Sequence, residues 1–501
     1  MLVMAATPYS ATNYLLEDYG HTLFPLVTTA FLVQNFSLDL RDFIDRKLLN
    51  AAETEIHFLP QQRCYAAKGG FHLRRTVKLD PLAEFYIYDL VYRNRQSFRR
   101  DHRPTRQSFG YRFSEGKPQS ATEAYGAFKS AIAEARRQYE FTLAVDVATY
   151  FNSIYHHDLV RSLREKWPEV DVEALGLFLR ETNAGRSIDC LPHGLHPCKV
   201  LGAEFLRFVD NSYKLQSPLM LRFMDDIHVF ADNRDSLTAD LLTIQGLLGE
   251  RGLSLNNAKT FEGDAQSRDI ATTVDAMKAG LLQLRRRIFV TADYESDIVE
   301  EYEREPLSEE QVEYLLSLIN SADVEESDAE LVLSLLRDHG KEVLDRMLLV
   351  LKRFPGLTKS IYNYSRFSED RDGLDNLVLQ FLRDSPLATE YQLFWLSKLA
   401  EDFLSESTVY GEILIKALEH QNSTIISRAK VLEIPDRRFG LPELREERLR
   451  GGRSDWEAWS AAVGLRKEPR AARNHLLGYF ANASPLNRLI SDCMTKDLKS
   501  V

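Results

Sequence analysis

Cysteine is scarce: Cys64, Cys190, Cys198 and Cys493 are four in 501 residues, at no regular spacing. A disulfide framework is thereby excluded, and a reducing, cytoplasmic setting is the expectation. Long apolar runs are missing too, since nothing approaches the roughly 18 to 20 residues that span a bilayer. The N-terminus has no basic stretch leading into an apolar one, so no membrane partner is expected. A basic excess is also lacking: 63 Lys and Arg stand against 74 Asp and Glu, a net charge of −11. What is present is ordinary globular material, 44% hydrophobic and 27% charged, which excludes collagen-like and wholly disordered classes. At roughly 150 residues per domain the length predicts about three structural units.

The net charge hides an asymmetry. From Asp293 to Glu330 there are 15 acids and one base, Arg304, a local net of −14, so the rest of the chain carries +3. Between Arg74 and Arg112 ten Lys and Arg face four acids, a local net of +6. That stretch is a candidate phosphate-attracting surface, and a solvated basic face is the plainer reading.

The two halves of the chain are patterned differently. Residues 1–275 mix helices with short apolar strands such as Phe141–Val145 and Leu219–Phe223, an α+β arrangement. Residues 276–501 lose strand signals and predict an all-α domain. Ser308-Glu-Glu-Gln311 and Ser327-Asp-Ala-Glu330 have the form of capping boxes, each before an apolar run. Further helices are expected at Glu342–Arg353, Asp375–Leu382, Tyr391–Phe403 and Tyr410–His420, and a long loop at 435–456. Short successive helices fit a helical-repeat, HEAT-like array, degenerate because no exact repeat is found; a compact bundle is the alternative.

The sharpest chemical pattern is Leu219-Met-Leu-Arg-Phe-Met-Asp225-Asp226-Ile-His-Val-Phe230, two aspartates between two apolar strands. Alone, such a pair reads equally well as a turn. A second strand ends in a carboxylate at Asp146, followed by Val147-Ala-Thr-Tyr-Phe151. A divalent ion takes oxygen ligands from separate segments, so two strand-end carboxylates make a candidate metal clamp. Between them stands Leu191-Pro-His193-Gly-Leu-His196-Pro-Cys198, and after them Gly252-Leu-Ser-Leu-Asn-Asn-Ala-Lys259-Thr260. With Cys190, the His193, His196 and Cys198 segment also admits a zinc reading, against which its tight spacing counts.

In this order the four segments resemble motifs A, B, C and D of reverse transcriptases. Arg75-Thr-Val-Lys78-Leu-Asp-Pro81 resembles the basic fingers segment, and Phe109-Gly-Tyr-Arg112-Phe the Gly-Phe-Arg block. The resemblance covers about residues 70 to 262 and implies a fingers and palm domain polymerising deoxynucleoside triphosphates. Asp146, Asp225 and Asp226, with Val147, would hold Mg2+, for which Mn2+ can substitute. Lys259 would stabilise the departing group, Arg75 and Lys78 would hold the triphosphate, and Phe151 would exclude a 2′-hydroxyl. Motif B departs from the family, with His193 where glutamine is usual; motif C opens with Phe223 instead of tyrosine.

A palm followed by a helical, partly acidic array resembles the abortive-infection reverse transcriptases of the AbiK type. That resemblance implies a cytoplasmic antiphage protein of a bacterial host, a homo-oligomer (trimer or hexamer) that polymerises without a template. Its single-stranded DNA product would be covalently linked to a tyrosine of the protein. Tyr9, in the polar stretch Ala-Thr-Pro-Tyr-Ser-Ala-Thr-Asn, is the first choice of primer because it is expected to be poorly anchored; Tyr14, Tyr19 and Tyr111 are alternatives. Two other readings stand beside this one: a templated, RNA-dependent DNA polymerase of the retron type, and a non-enzymatic defence scaffold.

Overall fold

The structure, a computed structural model, describes residues 9–49, 56–98, 103–188, 191–264, 277, 278, 280–282, 284, 307–321, 324–336 and 340–496. Strands β1 (Gln62–Ala67) and β2 (Leu73–Lys78) form an antiparallel hairpin, the fingers element. Strands β3 (Arg106–Ser108), β4 (Phe113–Ser114) and β5 (Lys117–Pro118) follow, the last two pairing with each other. The palm sheet joins β3 to β6 (Phe141–Val145), β7 (Leu219–Phe223), β8 (Asp226–Ala231) and β9 (Phe261–Asp264), in the order β3-β7-β8-β6-β9. Among the described residues only β3 runs parallel to its neighbour; the other pairings of this sheet are antiparallel.

The central strands read as almost unbroken apolar runs because helices cover them. Helix Ala121–Gln138 packs on β7 and β8, and helix Arg234–Gly249 on β6 and β8. Each begins where a side chain satisfies a free amide: Ser120 accepts from Glu123 N and Asn233 from Ser236 N. The expected strands Phe141–Val145 and Leu219–Phe223 have the bounds read from the sequence.

In the C-terminal half the helices alternate between two layers. One layer stacks Glu326–Leu335, Thr358–Ser365, Glu390–Phe403, Ile425–Leu432, Trp456–Gly464 and Pro485–Thr495, each on the next. The other includes Glu309–Asn320, Gly340–Arg353, Arg371–Asp384 and Tyr410–Glu419, stacked likewise. Ser308 and Gln311 form the expected capping box. The box expected at Ser327 does not form, because that helix starts at Glu326, with Glu325 at its cap. The expected loop 435–456 is corrected as well: Leu441–Arg450 is a helix, with fully buried Arg445 donating to the carbonyls of Leu432, Ile434 and Asp436.

The boundary placed at 275–276 lies outside the described residues. On either side of it, buried apolar residues from Tyr14 to Met494 form one contiguous cluster. Helix Glu390–Phe403 packs on β1, and helix Val27–Phe43 on Trp456–Gly464 and Pro485–Thr495. Buried carboxylates pin the junction: Glu433 accepts from Thr28 N (2.8 Å) and Thr28 Oγ1 (2.9 Å) while pairing with fully buried Lys430. The fingers hairpin is held at two further points, Tyr65 N to Glu390 Oε2 (2.9 Å) and Gly70 N to Glu326 Oε2 (3.1 Å).

Candidate active site

The β7–β8 register pairs Phe223 with Asp226, which leaves Met224 and Asp225 as a two-residue turn. Met224 has φ +55°, a left-handed conformation that strains a bulky residue by about 1–3 kcal/mol. Arg222, fully buried, offsets that strain: Nη1 donates to Met224 O (2.8 Å), and its other nitrogens hold the Asp210 carboxylate and Ala203 O. Asp225 is thereby presented from a rigid tip, itself 0% exposed.

Asp146 arrives on the neighbouring strand. The last β6–β8 pair is Val145 with Ile227, so the next step along both strands sets Asp146 beside Asp226. Motif D closes over this end: Val147 bridges Leu255, Ala148 N donates to Ser254 O (2.8 Å), and Asn256 N donates to Asp146 O (2.8 Å). Because the ladder uses the Asp146 carbonyl and the Ala148 amide, the Val147 carbonyl points away from the Leu255 segment. Asn256 Nδ2 also donates to Asp146 Oδ2 (3.1 Å), and Lys259 Nζ lies 3.7 Å from Asp146 Oδ1. Burial works to raise the Asp226 carboxyl, but a bond to His228 (3.1 Å) and the charges of Lys129 and Lys259 outweigh it and hold it below its usual value.

Motif B lies against motif A. The Phe151 ring is 4.6 Å from that of His193, and His193 meets Arg74 Nη1 across 3.2 Å. Burial, then Arg74, Lys199 and Lys68, push His193 well below its ordinary value, so it is neutral. Gly194 has φ +95°, and a Cβ there would come within 3.0 Å of Leu23, which explains glycine at that point. His193 and His196 take different partners, His196 Nδ1 bonding Tyr14 OH (2.7 Å); Cys190 lies outside the described residues.

The basic fingers residues divide by strand alternation. Arg74, Thr76 and Lys78 share one face of β2; Arg75 lies on the other, opposite Tyr65. Lys78, expected to hold the triphosphate, is drawn into the interior. Its ammonium is buried between Glu84 Oε1 (2.7 Å) and Tyr19 OH (2.9 Å), 5.4 Å from the Trp456 ring, so its charge is neutralised inside the protein. Arg74, not chosen as a site residue from the sequence, is a fingers cation that reaches motif B. Asn256 and Arg222 were also missed, although a lone arginine in an otherwise apolar strand was a visible signal.

The loose anchoring expected of Tyr9 is corrected too. Its hydroxyl donates to Glu17 Oε2 (2.7 Å), its ring lies 5.8 Å from Tyr92, and Lys117 sits over it. Burial first, then Glu17, push its phenol well above the ordinary value. Tyr14, Tyr19 and Tyr111 are 0%, 4% and 5% exposed, and Tyr111 packs 5.7 Å from Phe223.

Residues 96–293 match the family model of the reverse transcriptase (RNA-dependent DNA polymerase) domain, a span that holds Asp146, Asp225 and Asp226 together. The chain carries a reverse transcriptase domain. Among solved structures, apo telomerase from Candida tropicalis is similar with TM-score 0.27 and 10% identity, over 77% of this chain and 74% of that one. Telomerase from Candida albicans, bound to a fragment of telomeric RNA, gives 0.28 and 11%, over 78% and 66%. Those likenesses are too distant to carry function across. No curated protein matches the chain in sequence.

Among the described residues no group of three or more His, Cys, Asp or Glu gathers into a metal set. The residues that would hold divalent ions, as the resemblance implies, are the carboxylates Asp146, Asp225 and Asp226 with the Val147 carbonyl, and the register brings the end of β6 beside the β7–β8 turn. That oxygen-only set fits Mg2+, which takes few protein ligands and completes its shell with phosphate and water. Divalent ions held there would supply the charge that activates an attacking hydroxyl and neutralises a leaving pyrophosphate. The chain's own residues do the positioning: Asn256 and Lys259 contact Asp146, Arg222 braces the turn of Asp225, and the Phe151 ring packs against His193 of motif B. No helix among the described residues is long and apolar enough to cross a membrane.

Proposed function

We propose that this reverse transcriptase-family polymerase is an antiphage, abortive-infection enzyme that adds deoxynucleotides to its own tyrosine without a template. The observation that carries the reading is the union of the palm carboxylates with a stacked two-layer helical array in one core. That stacking supports the helical-repeat reading of residues 276–501, and a homo-oligomer of trimeric or hexameric kind accompanies it. The product is single-stranded DNA linked to the protein. Tyr9 remains the first choice of primer, since Tyr14, Tyr19 and Tyr111 are each at most 5% exposed while Tyr9 is partly open. To react, it must leave Glu17.

Purified protein incubated with magnesium and deoxynucleotides, without nucleic acid, tests this on a denaturing gel. Upward movement of the protein band is expected; free DNA, or none, rejects protein priming. Tyr9→Phe removes only the attacking oxygen and one partly exposed hydrogen bond, worth about 1 kcal/mol or less. The band shift should vanish while oligomer size stays the same. A nucleotide remnant found by mass spectrometry on Tyr14, Tyr19 or Tyr111 would move the primer without changing the chemistry.

Phe151→Ala tests the sugar gate. Opening the floor should raise ribonucleotide incorporation relative to deoxynucleotide, and an unchanged ratio assigns the gate elsewhere. The ring is 2% exposed, so a loss of about 3–5 kcal/mol in stability accompanies the change, and rates need normalising to folded protein.

One observation favours a templated reading. The outer face of the fingers carries Arg63, Tyr65, Leu73 and Arg75, with Phe71 at the tip, 59% exposed. Aromatic and basic side chains so interleaved suit a single strand. Activity that appears only on adding RNA would decide for it.

A further inference from the structure

A histidine interrupts the apolar strand that follows the catalytic turn. Strand β8 reads Asp226-Ile-His228-Val-Phe230, and its alternation puts Asp226, His228 and Phe230 on one face. At His228 the strand is paired on both sides, with Ala144 of β6 and Leu221 of β7, which fixes its backbone. The ring is 5% exposed. Phe128 crosses it at 5.7 Å and 75°, and Phe230 stacks beside it at 6.4 Å.

A buried imidazole in an apolar strand costs free energy unless a polar partner meets it. His228 Nε2 finds one in Asp226 Oδ1, 3.1 Å away, and a hydrogen bond joins the two side chains. Nδ1 has no hydrogen-bond partner among the described residues. The nitrogens are therefore not equivalent. An ionised carboxylate only accepts, so the proton belongs on Nε2, whereas a proton on Nδ1 would be a buried donor without an acceptor. Ring position and tautomer are both set by the fold, and a fixed donor is aimed at one oxygen of Asp226.

On the plainer reading Asp226 merely satisfies a core histidine. The exposures argue for the opposite direction of control, because the Asp226 side chain is 38% exposed while that of His228 is 6% exposed. Other cations compete for this carboxylate: Lys129, from helix Ala121–Gln138, and Lys259, from motif D, both act on its charge. A lysine loses rotamer freedom when it pairs, and the packed imidazole has little left to lose. The ring therefore decides which way the carboxylate faces, and the strand register sets that carboxylate beside Asp146.

We propose that His228 is a positioning residue for divalent-ion binding: its Nε2–H holds Asp226 Oδ1 and leaves Oδ2 available to an ion shared with Asp146. The proposal rests on the divalent-ion reading of Asp146, Asp225 and Asp226, and it is independent of tyrosine priming.

Manganese titrated into the protein without nucleotide, the free ion being read by electron paramagnetic resonance, provides the test. His228→Phe keeps a ring in place and removes the donor; Asp226 can hydrate, so the variant should fold, which thermal melting checks. Its manganese affinity should fall about tenfold or more, the usual loss when the hydrogen-bond partner of a metal-binding side chain is removed. His228→Gln returns a donor near the place of Nε2 and should recover most of that loss, which a purely structural role does not predict. Equal affinity for wild type and His228→Phe, or a loss that His228→Gln does not reduce, would overturn the proposal. Asp225→Asn separates the two levels. Affinity that falls for Asp225→Asn but not for His228→Phe rejects the role of His228 alone, whereas affinity indifferent to Asp225→Asn rejects the metal site and that role with it. Should His228→Phe misfold, nitrogen-15 histidine NMR of the unaltered protein decides, the His228 signals being those absent from His228→Gln. The Nε2–H tautomer is expected, and the Nδ1–H tautomer rejects the proposal.

Discussion

Asp146→Asn and Asp225→Asn should each reduce nucleotide incorporation below about a tenth of the wild-type rate, with the fold intact. Each amide keeps the shape of the side chain and removes the ligand charge. Asp225 is 0% exposed, and the isosteric amide fills the same space, so the variant should still fold cooperatively. The Asp146→Asn variant keeps the Asn256 contact only if the new amide presents its oxygen to Nδ2, and it loses the attraction of Lys259. Incorporation measured beside thermal melting separates the outcomes. Activity above a tenth in either variant would remove the carboxylate pair from the chemistry.

Arg222→Met should be the most damaging single change to stability near the site, by about 3–5 kcal/mol, because it strands the Asp210 carboxylate in the interior. Burial alone would lower the Arg222 guanidinium, and Asp210 more than reverses this, so the pair is mutually dependent. Replacing both partners, Arg222→Met with Asp210→Leu, should recover most of the urea midpoint, since no buried charge is then left alone. Activity should stay low in the double variant, because Met224 O has lost its donor and the turn of Asp225 its brace. A double variant that regains full activity would show that Arg222 acts only through the ion pair.

Much of the palm was legible in the sequence for a local reason. Strands β6 and β7 are short apolar runs ended by carboxylates, and period, length and punctuation are all contained within a few residues. The helix after Ser308 was readable in the same way, its cap and the reciprocal Gln311 being three positions apart. The helix Leu441–Arg450 was not, because its polar, proline-bearing sequence looks like a loop until Arg445 finds three carbonyls to bind.

Roles that depend on partners brought close by the fold escaped, whether those partners lie six residues away or more than a hundred. Lys78 reads as a fingers lysine because its neighbours are basic, yet Glu84, Tyr19 and the Trp456 of the far helical array take its charge out of solvent. Tyr9 sits among small polar residues and reads as loose, but Glu17 one helix face away and Tyr92 on another helix anchor it. Asn256 was inside a quoted motif, and only the bridge between Val147 and Leu255 turns it toward Asp146. The sequence alone singled out Asp146, Asp225 and Asp226 as candidates, because a strand-end aspartate is a local pattern. Tertiary structure alone decided which cations reach that site, because a charge is committed by whichever opposite charge the fold brings close to it.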